Sequence, residues 1–217
     1  MGRLALVAGS SLRGAGLPEG DWELLQRHGE ASAYVLPDRI DHVANLRSLV
    51  EAGCDRVLAI GSVGSLHEHL EPGTLICPDD FIALDAEPLT ALEGAAAHRV
   101  PGFDEPWRRR VLAALAGERV RDGGVYWQAN GPRLETPAEV RIIAQHADVV
   151  GMTVAGECVV AGELGLAYAA LCVVDNLANG IGASALTLPE IEDNRERNRR
   201  RVAELLSRVL PALAATV

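Results

Sequence analysis

No stretch of this sequence approaches the ~18 consecutive apolar residues that a membrane-spanning helix requires. The apolar run near the start, LALVAGSSL, is interrupted early by Gly9, Ser10 and Ser11, which argues against a membrane segment and makes a cytoplasmic protein the expectation. Basic charge is also scarce. Asp and Glu number 30 against 20 Lys and Arg, so neither nucleic acid nor an anionic membrane surface is an expected partner. An anionic ligand would have to be held by a local arrangement of donors. The four cysteines, Cys54, Cys77, Cys158 and Cys172, show no CxxC and no paired Cys/His spacing, so no metal site is implied and buried, reduced thiols are expected. Neither the GxGxxG nor the GxxxxGK[ST] fingerprint occurs, which removes the usual signals for a dinucleotide cofactor or a nucleoside triphosphate. Repeats and low-complexity linkers are missing too. At 217 residues and 48% apolar composition, a single domain spanning 1–217 is the expectation.

What is present is an alternation of short apolar runs with amphipathic stretches, the pattern of an α/β domain built on a central sheet. Strands are expected over 3–8, 32–36, 55–60, 74–78, 80–85, 123–128, 147–150 and 167–174, several of them apolar on both faces as buried strands are. Val43, Leu46, Leu49 and Val50 recur at helical spacing over 42–52 and stop at Gly53, a common helix C-terminal signal. Thr136-Pro137-Ala138-Glu139 reads as a capping box opening a helix over about 137–146, and Thr187 with Glu190 repeats that grammar before the final helix. The run RERNRRR (195–201), flanked by Glu192, Asp193 and Glu204, reads as a solvated helix face neutralised by its acidic neighbours.

Three Gly/Ser-rich segments follow strands and read as turns: Ala8-Gly9-Ser10-Ser11, Gly61-Ser62-Val63-Gly64-Ser65 and Gly151-Met152-Thr153. A turn at a strand's C-terminal end can converge backbone amides and hydroxyls on an anion. Each alone is equally a conformational use of glycine; three after three different strands strengthen the anion reading.

The runs NGPRLETPAEVR (130–141), ADVVGMTVAGECVVAGELGL (147–166) and VVDNLANG (173–180), preceded in order by HVANLRSLVEAG (42–53), VLAIGSVGSLHEHLEPGTLICPDDFI (57–82) and HRVPGFDEPWRRRV (98–111), resemble the trimeric purine nucleoside phosphorylase and methylthioadenosine phosphorylase family. The resemblance covers most of the chain from 40 to 210. It implies a mixed, partly barrel-like sheet flanked by helices, and cleavage of a purine nucleoside by inorganic phosphate to free base and pentose 1-phosphate, with no metal or organic cofactor. It assigns Ser10, Ser62 and Thr153 to phosphate, with Gly61 replacing a residue that often bears a polar side chain. Met152 falls beneath the ribose and Leu134 against the base.

Glu135 and Asn176 carry the base specificity that the resemblance implies. A side-chain amide donates to N7 or O6 of the departing purine, where negative charge develops, and a carboxylate accepts the N1 proton that 6-oxopurines have and adenine lacks. A one-residue shift would put Asp175 in the base site and favour an adenine nucleoside; that alternative stays open. His98 aligns with a histidine that reaches the 5′ group from an adjacent subunit, which implies a homotrimer, with its pairing into a hexamer left open. The final segment from 178 resembles methylthioinosine-type phosphorylases, and the 5′ substituent, methylthio or hydroxyl, is undecided.

The chain is short by roughly forty residues, against the family pattern, between the first turn and the helix at 42. Two alignments of the phosphate loop result. In one, Arg27-His28-Gly29 is the loop and both Arg27 and His28 meet phosphate. In the other, 32–36 is the preceding strand, and Arg39 is left as a truncated substitute. A hydrolytic nucleosidase of the same superfamily and a catalytically silent purine-binding relative are the competing functional readings.

Overall fold

Strand β1 (Arg3–Ala8) alternates its side chains between two cores, and that alternation organises the molecule. Leu4, Leu6 and Ala8 belong to one apolar cluster and Ala5 and Val7 to another, as the two-residue period of a strand buried on both faces requires. The same split runs through β3 (Cys54–Ser65) and β9 (Ala167–Leu177), where Leu58, Ile60, Leu171 and Val173 face one way and Val57, Ala59, Ala170 and Cys172 the other. Helices α1 (His42–Glu51) and α4 (Val154–Glu163) cover one face, and α2 (Glu105–Ala114) and α5 (Leu188–Ala214) cover the other. The computed structural model describes residues 2–17, 19–29, 34–84, 90–182 and 187–215.

The remaining elements are β2 (Trp22–Gln26), β4 (Leu75–Cys77), β5 (Asp80–Ile82), β6 (Val120–Asp122), β7 (Val125–Gln128), α3 (Pro137–Ile143) and β8 (Val149–Gly151). Among the described residues nine strands form one sheet, ordered β5-β7-β8-β3-β9-β4-β6, with β1 and β2 branching from β3. Parallel pairs dominate, and β3/β8 and β4/β9 are antiparallel. The long β3 pairs β1 with its first half and β8 with its last two residues. The sheet therefore curls at β3 into the mixed, partly barrel-like arrangement expected.

Local chemistry explains most of the helix starts. Thr136 Oγ1 accepts the Glu139 amide and Glu139 accepts the Thr136 amide, completing the capping box ahead of α3. Thr187 stands directly before α5, its carbonyl accepting the Ile191 amide; the side chain of Glu190 lies outside the described residues. All four cysteines are buried with free thiols.

Two expectations are corrected. Residues 34–36 are irregular, not strand, and 32–33 lie outside the described residues. The second strand is instead Trp22–Gln26, an edge strand parallel to β1. Its mixed pattern, with only Trp22 buried, offers no clear period to read, whereas SAYVL has strong strand composition. Residues 61–65 are the extended end of β3 and not a turn. Glycine there serves close approach: a Cβ on Gly61 would lie 2.9 Å from Cys172 Sγ, and one on Gly64 would lie 3.3 Å from Asn176 Nδ2.

Candidate active site

At the C-terminal ends of β1, β3 and β9 a cavity of about 310 Å³ opens, walled also by the loop after β2, the β7–α3 loop, the β8–α4 turn and the start of α5. Ser10, Arg27, His28, Ser62, Leu134, Glu135, Met152, Thr153 and Asn176 all line it. Sequence positions separated by most of the chain thus converge on one space, because the strands that carry them are neighbours in the sheet.

Arg27 follows β2 directly and lines the cavity. Arg39 is exposed on a short 3-10 turn and does not line the cavity. The Arg27 guanidinium is nearly fully buried and gripped on two sides: Nε and Nη2 donate to the Glu157 carboxylate at 2.5 and 2.8 Å, and Nη1 donates to the Ile60 carbonyl at 2.9 Å. Tyr168 Oη also donates to Glu157, at 2.7 Å. Burial pushes the Glu157 carboxyl up, but the charge and hydrogen bonds of Arg27 outweigh it and hold the group below the usual carboxylate range. The reverse holds for Arg27, which stays charged against its burial. Glu157 lies within the family-like stretch 147–166, yet no sequence signal gave it a role.

His28 donates Nδ1–H to the Val35 carbonyl at 2.8 Å, and its ring stacks on Tyr34 at 4.7 Å. A carbonyl can only accept, which fixes the tautomer and leaves Nε2 as an acceptor. Burial lowers the imidazole pKa against that backbone bond, which favours the neutral ring.

The β8–α4 turn is held from below. Tyr126 Oη accepts the amides of Thr153 and Val154 at 3.2 and 3.3 Å, and Gln128 Oε1 accepts those of Ala155 and Gly156 at 2.9 and 3.3 Å. The first amides of α4 are thereby occupied, and what Thr153 has left for a ligand is its hydroxyl.

Asp175 and Asn176 are separated by a bulge. Val63 pairs with Val174 and Gly64 with Asn176, so Asp175 is the extra residue of β9. A bulge re-aims neighbouring side chains. Asn176 lines the cavity, with Nδ2 donating to the Leu177 carbonyl at 2.9 Å. Asp175 sits behind the wall at 1% exposure, accepting from Ser62 Oγ and, at 2.8 Å, from Asn198 Nδ2. Burial raises the Asp175 carboxyl against these hydrogen bonds.

Glu135 is half-buried where it lines the cavity, with its carboxyl pushed up by burial against the hydrogen bond from its own amide. Its carbonyl accepts from Asn179 Nδ2 at 2.8 Å, tying the β7–α3 loop to the segment after β9. His98 is exposed at the end of a 3-10 turn and lies outside this chain's own cavity. Arg195, read as part of a solvated run, instead lines the cavity.

The cavity unites a hydroxyl-rich end, a buried cation and an amide–carboxylate pair in a curled α/β sheet. Comparison with known proteins gives this arrangement its class. Residues 19–211 match the family described as the phosphorylase superfamily. A probable 6-oxopurine nucleoside phosphorylase from Archaeoglobus fulgidus is 40% identical over 190 residues, covering 86% of this chain and 77% of its own. A probable S-methyl-5′-thioinosine phosphorylase from Methanothermobacter thermautotrophicus is 35% identical over 173 residues, 78% of this chain and 61% of its own. In structure, a methylthioadenosine phosphorylase from Schistosoma mansoni in complex with adenine superposes with a TM-score of 0.83 at 20% identity, covering 100% of this chain and 93% of its own. The chain belongs to the phosphorylase superfamily, and the resemblance to nucleoside phosphorylases read from its motifs holds across the fold.

Proposed function

We propose that the protein cleaves the glycosidic bond of a 6-oxopurine nucleoside, or its 5′-methylthio derivative, with inorganic phosphate, releasing the purine and a pentose 1-phosphate. The observation that carries this reading is the meeting of Glu135, from the β7–α3 loop, and Asn176, from the end of β9, on one cavity that Ser10, Arg27, Ser62 and Thr153 also line. The Glu135 carboxylate accepts N1–H, and the Asn176 amide meets the charge that develops on the departing base. Met152 packs beneath the ribose and Leu134 against the purine. Phosphate is the nucleophile and the only co-substrate, with no metal or organic cofactor. His28, a neutral acceptor through Nε2, suits a protonated phosphate oxygen. His98, outside its own cavity, serves the 5′ side of a neighbouring copy in a homotrimer, and the enzyme works in the cytoplasm.

The test is base release from inosine and 5′-methylthioinosine with and without phosphate. Hypoxanthine should form only when phosphate is present. Equal release in phosphate-free buffer would make the protein a hydrolase, and nucleoside affinity without turnover would make it a binding module.

Gly9 offers a second test of the phosphate end. Its backbone, at φ −87° and ψ −171°, suits any residue, yet a Cβ there would lie 2.6 Å from Arg27 Nη1 and 2.8 Å from the immobile Ile60 carbonyl. Gly9→Ala should displace the guanidinium and lower kcat/KM by roughly 10²-fold, the scale of an ångström-level misplacement. Unchanged kcat/KM would show that Arg27 need not occupy this seat.

A further inference from the structure

Resting on the phosphorylase reading, we infer that Arg195 of α5 is the cation that engages the attacking phosphate, tethered beside the Ser62 segment by Asp175. Two features create the need. Arg27 is matched by Glu157 in a closely bonded pair with both side chains 2% exposed, so the pair brings the oxyanion donors but no net charge. The Ser62 segment is also poor in donors. Gly61 has no side chain, and the space for one is closed by Cys172 Sγ and by Val154 Cγ2 at 2.9 and 3.2 Å from its would-be Cβ. The Ser62 hydroxyl donates to Asp175, and the amides opening α4 are held by Tyr126 and Gln128.

Arg195 differs from its neighbours in the run. Arg199 and Arg200 pair with Glu196, Arg197 bonds Asn194, and Arg201 donates to the Gly73 carbonyl at 2.6 Å. Arg195 turns inward to the cavity, with its Nε 3.7 Å from Asp175 Oδ2. That separation is long for a hydrogen bond, and among the described residues the buried Nε has no hydrogen-bond partner. Asp175 is itself fixed by Asn198 and Ser62. The carboxylate therefore holds the guanidinium more by charge than by hydrogen bonding, beside Ser62, and at this separation leaves its donors free to turn to a ligand. A phosphate entering against Ser10, Ser62 and Thr153 offers Arg195 the bidentate, charge-assisted geometry that Asp175 does not.

Steady-state kinetics of Arg195→Gln, read beside titration calorimetry with inorganic phosphate, test this. The phosphate KM and Kd should rise at least tenfold, the nucleoside KM should stay within twofold, and Arg195→Lys should recover part of the loss. An unchanged phosphate KM in Arg195→Gln overturns the inference, as does an equal rise in both KM values. A fall in thermal midpoint that Arg195→Lys does not repair assigns Arg195 to the scaffold and overturns it as well. The phosphorylase reading fails separately, if the wild-type protein releases base equally without phosphate.

Discussion

Glu157→Gln is expected to lower the stability of the folded protein by about 3–5 kcal/mol, because it leaves a buried guanidinium without its counter-charge. Arg27 stays charged in the folded state, and the two side chains share a buried site at 2% exposure. The remedy is as informative as the damage. Replacing both residues with methionine, Arg27→Met with Glu157→Met, should restore most of the stability, since a buried ion pair contributes little net against apolar packing, while phosphate-dependent turnover stays lost. Chemical denaturation of the two single variants and the double variant forms the cycle; losses that simply add would show that the pair is not coupled. Acid should produce the same effect as Glu157→Gln. The folded-state pKa of Glu157 is depressed, so its contribution is present above the unfolded value near 4.3. It disappears as pH falls through the lower folded value.

The second large effect concerns selectivity. Asn176→Ala should reduce turnover roughly 10²-fold, the scale of removing one preorganised donor from developing charge. Asn176→Asp should shift preference from inosine toward adenosine-type nucleosides, because a carboxylate accepts from the exocyclic amine and is repelled by O6. Competition between inosine and adenosine, read as a ratio of kcat/KM values, reports the shift. The base-site assignment is lost if neither variant changes turnover or that ratio.

Helix starts were legible because they are written in adjacent residues: Thr136 and Glu139 bond each other across one turn. The buried strands were legible from their continuous apolar runs. The edge strand β2 was not, since an edge strand with one buried residue carries no periodic constraint. Glycine misled at 61–65, where it signals either a turn or close packing, and only the neighbouring Cys172 and Asn176 decide which. At the site, motif resemblance brought the wall residues together by number but left Arg27 or Arg39, and Asp175 or Asn176, undecided. Where each of these residues lies depends on which segment pairs with β1 and on strand register; both are tertiary facts. Arg195 hid in a run whose other members do what a charged helix surface does, and its attachment, Asp175, stands on a different element.

The extra residue in β9 has a consequence for how this chain can change over generations. With Asp175 outside the pairing, everything before it keeps step with β3 and everything after is offset by one. Losing a single codon at 175 would close the ladder with Asn176 still opposite Gly64, but would remove the carboxylate that joins Ser62 on β3 to Asn198 on α5. A replacement at 175 therefore leaves the spacing of β9 intact, whereas a deletion parts the last helix from the end of β3, and descendants of this chain should keep the length.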